Sequence, residues 1–183
     1  MPLSQPSHRE PIQTREIKVT SYRRTDGQWD VEGHLTDTSA YAFENDYRGT
    51  IEPGIPIHNM WLRLTLDKNI VITGVEAAMD GTPYAICPGV EPAFQELKTV
   101  KIGPGWNRKV REVLGGAKGC IHMVDLLRPV GTIGYKTVKR EAGQNKKLKD
   151  KTDDMPYQVN TCHAMSSHGE VVKKRWPHLY TGN

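Results

Sequence analysis

The chain has 183 residues, with 25 Lys+Arg against 21 Asp+Glu and a formal net charge of +4. That length suits one domain with a tail, and the charge is too mild for a dedicated nucleic-acid binder, whose basic patch dominates its sequence. Hydrophobic residues make up 37%, enough for a core, but no apolar run approaches the roughly 20 residues of a membrane span.

The opening MPLSQPSHREP lacks the apolar stretch of a secretory signal. The expectation is a cytoplasmic protein without nucleic acid or membrane as partner. Cys87, Cys120 and Cys162 are odd in number and far apart, which argues against a disulfide framework. Free thiols in a reducing compartment are packing residues, metal ligands or nucleophiles.

Taken in order, residues 1–14 are polar and read as an arm. Segments 16–24 and 28–36 flank Asp26-Gly27, a hairpin signal. In the second segment Trp29, Val31, Gly33 and Leu35 share one face and Asp30, Glu32, His34 and Thr36 the other. Residues 37–56 read as loop. The clearest strand is 57–66, with His58, Met60, Leu62, Leu64 and Leu66 on one face and Asn59, Trp61, Arg63 and Thr65 on the other. Asp67-Lys68-Asn69 turns it into a second β-rich segment, 70–79. A short helix over 91–98 follows Pro92. WNRKVREVL reads as a second helix, stopped at Gly115-Gly116. Gly119-Cys120 opens a third helical pattern that Pro129 should kink or divide. Residues 142–155 read as a mixed-charge linker, and 157–180 as two extended segments around Ser166-Ser167-His168-Gly169. The organisation is an arm (1–14), one domain (15–141), a linker (142–155) and an extended tail packing on the domain (156–183). Two hairpins followed by helices give an α+β fold, an antiparallel sheet with helices on one face.

No dinucleotide fingerprint, phosphate loop, HExxH or GxSxG is present. The chemistry-bearing candidates are histidines and cysteines. Cys120 stands at a helix start, where unpaired N–H groups favour a thiolate. His122 lies in the first turn, with Asp125 three residues on and able to orient it. Cys87 lies where a strand gives way to a helix. His58 opens an apolar strand face, and His34 sits with Asp30, Glu32 and Asp37 in a polar cluster. Each has a plainer reading: buried small thiols, a satisfied core histidine and a solvated sheet face. The pair Cys162-His163 is weaker, because strand neighbours point to opposite faces.

The segments YRRTDGQWDVEGHLTDT, IHNMWLRLTLD, PYAICPG, IGPGWNRKVREVLGGAKGCIHMVDLL and CHAMSSHGEVVKKRWP resemble an uncharacterised bacterial domain-of-unknown-function family with a GC-x-H-x-x-(D/E)-LL motif, over nearly the whole chain. More distantly, residues 55–140 resemble the NifU/IscU-type iron–sulfur scaffold. HNMWLRLTL is similar to its ligand-bearing strand, AICPG to its corner cysteine and GAKGCIHMVDLL to its helix-start pair. The chain departs from that scaffold in having Gly119 where it has His, and in lacking a cysteine before the strand. The resemblance implies an IscU-like fold and one metal site of His58, Cys87, Cys120 and His122. Such a donor set suits Zn or Fe.

The functional expectation is a metal-centre protein adapted to a small-molecule substrate, aromatic substrates included. As an enzyme it would be a metal-dependent lyase or hydrolase, with His122 and Asp125 as catalytic pair. Trp29, Trp61, Arg63 and Trp106 would bind substrate, and a homodimer is allowed. The alternatives are an iron–sulfur scaffold or sulfur acceptor, and a metal-free ligand-binding module.

Overall fold

Alternating side chains and tight polar turns build the sheet from two long hairpins. The computed structural model describes residues 3–145 and 158–182. Strands β1 (Gln13–Arg23) and β2 (Trp29–Ser39) are joined at Asp26-Gly27, where Gly27 has φ +82°. β3 (Phe43–Asn45) and β4 (Gly49–Ile51) make a small separate hairpin within the stretch expected to be loop. β5 (Pro56–Leu66) and β6 (Ile72–Gly81) form the second long hairpin. In its turn Asp67 Oδ1 accepts the N–H groups of Asn69 and Val71, both at 2.8 Å. The four long strands are antiparallel neighbours in the order β1-β2-β5-β6.

One face of this sheet is apolar and covered. Val31, Leu35, Met60, Leu62, Leu64 and Leu66 are buried there, against α1 (Trp106–Leu114), α2 (Ile121–Asn145) and a 3-10 segment, Cys87–Leu97. The 3-10 segment stands where a helix over 91–98 was expected. Pro88 and Pro92 within it cannot donate backbone hydrogen bonds. Pro129 lies inside α2 without dividing it. The fold class is α+β with an antiparallel sheet and a few helices. Among the described residues no helix is long and apolar enough to cross a membrane.

α2 runs along β1 and is tied to it at three levels. Arg15 donates to Asp125, Thr137 Oγ1 to Ser21 Oγ, and Arg23 to Glu141. The spacing matches: eight strand steps cover about 26 Å and sixteen helical steps about 24 Å. Close approach to β2 depends on Gly33, where a Cβ would lie 2.5 Å from Val130 Cγ2 and 2.8 Å from Leu126 Cδ1.

The chain divides into two units, Met1–Asn145 and Lys146–Asn183. In the second, residues 158–182 form turns, two short 3-10 pieces and α3 (Glu170–Arg175) rather than the expected extended segments. α3 has Glu170 in its first turn and Lys173, Lys174 and Arg175 in its last, which complements the helix dipole. The expected linker begins as helix, since α2 continues to Asn145, and its remainder, 146–155, lies outside the described residues.

Candidate metal centre

The alternation that buries Val31, Gly33 and Leu35 continues one step to Asp37. This carboxylate therefore faces the helices, and it is only 1% exposed. It pairs across the sheet with Arg15 on β1 and His58 on β5, so three neighbouring strands contribute one row of polar groups at the end of the core. Immediately beyond, the β2–β5 pairing skips Ile57, passing from Asp37/His58 to Thr38/Pro56. Such bulges re-aim side chains at sheet ends.

Arg15 grips the carboxylate with two parallel bonds, Nε to Oδ1 at 2.7 Å and Nη2 to Oδ2 at 2.8 Å. Its third nitrogen donates to Asp125 Oδ2 at 3.0 Å. His58 Nδ1 lies 2.9 Å from Asp37 Oδ2. His122 enters from α2, whose first carbonyl acceptor is Cys120, bonded by Val124 N–H at 2.9 Å. The His122 ring stacks on His58 with centroids 3.7 Å apart and 30° between planes. Its Nε2 is 3.9 Å from Asp37 Oδ2, and its Nδ1 is 3.7 Å from Cys120 Sγ. Asp37, His58 and His122 thus offer three ligand atoms within 4.8 Å of one another, the metal-capable group found among the described residues.

The electrostatics follow from this packing. For Asp37 the largest single influence is burial, which pushes its carboxyl up. The Arg15 hydrogen bonds and charge, with His58, outweigh it and hold the group below the usual carboxylate range. Burial is likewise the largest influence on His58 and His122 and lowers both. For His58 it overcomes the raising effect of Asp37; for His122 the His58 and Arg15 charges act with it. The Asp37 hydrogen bond raises Arg15 further into its charged range. At neutral pH the centre therefore holds an anionic carboxylate and two neutral imidazoles, the protonation states in which these groups ligate metal.

Several expected site residues are placed differently. Cys87 begins the 3-10 segment, partly buried against the core, and is not in the ligand group. Asp125 is held by Arg15, and the carboxylate facing His122 is Asp37. Asp37 does not join His34, which lies on the opposite face. There His34 Nε2 is 2.7 Å from Asn59 Oδ1, and the ring stacks on Trp61 at 3.6 Å. The four expected substrate residues do not share one wall. Trp106 is 7% exposed within the core, and Trp29 packs against that core from the start of β2. Trp61 and Arg63 line a groove of about 600 Å³ shared with Glu76, Glu91 and Gln95, which none of the three metal-capable residues enters. Sequence reasoning missed Arg15 and the orientation of Asp37. Alternation carried one step past Leu35 reveals the second, and the β1–β2 register then reveals the first.

A family model described as a protein of unknown function (DUF2889) matches residues 13–136, a span that contains Arg15, Asp37, His58, Cys120 and His122. No curated protein and no solved structure matches the chain.

Proposed function

The chain belongs to that DUF2889 family of unknown function, so its activity has to be argued from its own side chains, and we propose that it is a small metal-centre protein acting on a small molecule, with Asp37, His58 and His122 as ligands. The observation that carries this reading is the clustering of their three ligand atoms within 4.8 Å. One carboxylate and two imidazoles suit Zn²⁺ or Fe²⁺. Ligand atoms bound at about 2.0–2.1 Å to one ion stand about 2.9–3.4 Å apart. The Asp37–His58 pair, at 2.9 Å, already meets that spacing. His122, at 3.9 Å from Asp37, reaches that spacing to the carboxylate by moving in by roughly half an ångström. Arg15 is the outer support that orients the carboxylate. Cys120, beside His122, is a fourth donor or a thiol neighbour. The metal would act as a Lewis acid or activate water, the chemistry of a hydrolase or lyase.

The likeness to the NifU/IscU-type scaffold supplies a weaker form of the same proposal. It is supported by the stacking of His58, on β5, against His122, which lies two residues past Cys120. An iron–sulfur scaffold or sulfur acceptor would draw on both cysteines, however, and Cys87 stands outside the ligand group. A second reading is favoured by the 2.9 Å contact itself. With Nδ1–H donating to Asp37, His58 is an imidazole oriented by a buried carboxylate, the arrangement of a metal-free general base.

Titrating chelator-treated protein with Co²⁺, Zn²⁺ and Fe²⁺ tests these readings. The metal reading expects one equivalent of Co²⁺ per chain with visible d–d absorption, abolished in Asp37→Ala and His122→Ala and retained in Cys87→Ser. A thiolate-to-cobalt charge-transfer band that disappears in Cys120→Ser identifies Cys120 as the fourth donor. Failure to take up any of the three ions overturns the metal reading and leaves the dyad.

A further inference from the structure

A cavity of about 370 Å³ lies on the first unit away from the Asp37 centre, between the β5–β6 turn, the segment leading into α1, and α2. Lys68, Lys101 and Lys139 reach it from these three separate elements, and Ile70, Ile102 and Tyr135 give it an apolar and aromatic lining. Among the described residues no carboxylate lines it. The nearest carboxylate in sequence, Asp67, is turned into its own loop, where Oδ1 accepts two backbone N–H groups.

Arg15, Arg23, Arg24, Arg63 and Arg108 all have carboxylate partners. Among the described residues Lys68, Lys101 and Lys139 have none; Lys139 Nζ stands 5.9 Å over the Tyr135 ring. Other cations, such as Lys18, Lys98 and Arg111, also have no carboxylate ion pair among the described residues; what distinguishes this place is that three such lysines line one cavity. Ammonium groups that share one concavity each attract an anion placed between them. Lys101 and Pro104 also border a second groove, at the start of α1, where Lys109 and Arg108 stand with Glu112. The first turn of α1 contains no acidic residue and no side-chain cap.

The geometry points to a binding site in this cavity for the phosphate groups of a phosphorylated small molecule, gripped by Lys68, Lys101 and Lys139. Ammonium groups bind phosphate oxygens as point charges without a fixed fork geometry. A cavity of this size falls in the lower range of small-molecule sites, about 300–1,000 Å³. A duplex or single strand would instead call for a continuous basic stripe, which a net charge of +4 does not support. The site is independent of the metal proposal.

Calorimetric titration of the full chain with inorganic pyrophosphate tests it. One saturable site per chain is expected, weakening with added salt. Lys101→Gln and Lys139→Gln should each lower affinity by about tenfold, the scale of one charge-assisted hydrogen bond, while Lys18→Gln on β1 leaves it unchanged. A second measurement needs no variant: pyrophosphate should protect Lys68, Lys101 and Lys139, but not Lys18, from an amine-reactive label read by mass spectrometry. Absence of saturable binding, equal weakening by Lys18→Gln, or uniform labelling overturns the proposal.

Discussion

β2 and β5 carry two polar clusters, one on each face of the same sheet and built from the same residue types. On the open face Glu32, His34, Asn59, Trp61 and Arg63 interlock, with Arg63 bonded to both Glu32 and Glu76. On the covered face Asp37 and His58 meet Arg15 and His122. The clusters differ by one step of strand alternation. Solvent shares the work on the open side, where Arg63 is 41% and Glu76 73% exposed. On the covered side Asp37 is 1% exposed and must find every partner within the protein. A histidine and a carboxylate therefore make a surface network in one place and a candidate ligand set in the other. The difference lies in which face the helices cover.

Removing the central carboxylate on each side should separate the two clusters most widely. Asp37→Ala leaves Arg15 and His58 without their shared acceptor. Loss of a buried ion-pair partner costs roughly 3–5 kcal/mol, and partial exposure of Arg15 reduces this to about 3 kcal/mol. Glu32→Ala, on the open face, should cost below about 1 kcal/mol, the scale of an exposed pair. Urea denaturation of chelator-treated protein measures both. Equal midpoint shifts would mean that the covered cluster is as solvated as the open one.

Glycines sharpen the same contrast with a smaller effect. In Gly33→Ala the new methyl meets Val130 Cγ2 at 2.5 Å and Leu126 Cδ1 at 2.8 Å, so α2 must shift away from β2. Overpacking of this kind costs about 1–3 kcal/mol. Because His122 sits at the head of α2, Co²⁺ affinity should fall with stability. In Gly74→Ala the new atom meets only Thr65, at 3.1 Å, and lost chain entropy in the unfolded state offsets the contact. Thermal melting of the pair should show a clear drop for Gly33→Ala and little change for Gly74→Ala.

The antiparallel sheet was legible because its signals are local. Asp26-Gly27 and Asp67-Lys68-Asn69 mark turns, and apolar alternation along 57–66 marks a strand. His58 was legible as a polar group on an apolar face. Asp37 was hidden because the alternation was stopped at Thr36, and a residue outside a strand has no defined face. Arg15 was hidden because the first strand was read from Glu16, one residue past it, and the alternation of Ile17 and Val19 is too short to carry its face back to Arg15; pairing with β2 places it. Cys87 and Cys120 were grouped through resemblance to the iron–sulfur scaffold. Nothing local in a sequence reports whether a 3-10 segment and a helix start converge. The helical content of 158–182 was missed because its pieces, of 3, 6 and 3 residues, are too short to show a helical period, while Ser, Gly and His give the stretch the look of loop.

Acid should open the covered cluster gradually, and this is the smallest effect expected. The folded-state values of His58 and His122 lie below the ordinary imidazole value of 6.5. Well above pH 6.5 both states hold neutral rings and the shifts contribute no pH dependence. As pH falls through 6.5, the unfolded chain takes up protons that the folded chain resists, so stability declines until the folded rings titrate too. Asp37 adds a second decline, because its folded value lies below the ordinary 3.8. Stability conferred by its ionised form persists above that value and is lost as pH falls further. Urea midpoints of metal-free protein should therefore slope downward between about pH 7 and 5, and again below about pH 4. Replacing both His58 and His122 with Asn should flatten the first slope and leave the second. His34→Asn on the open face should leave the first slope intact, and a slope that vanishes with His34 instead would reverse the assignment of the two faces.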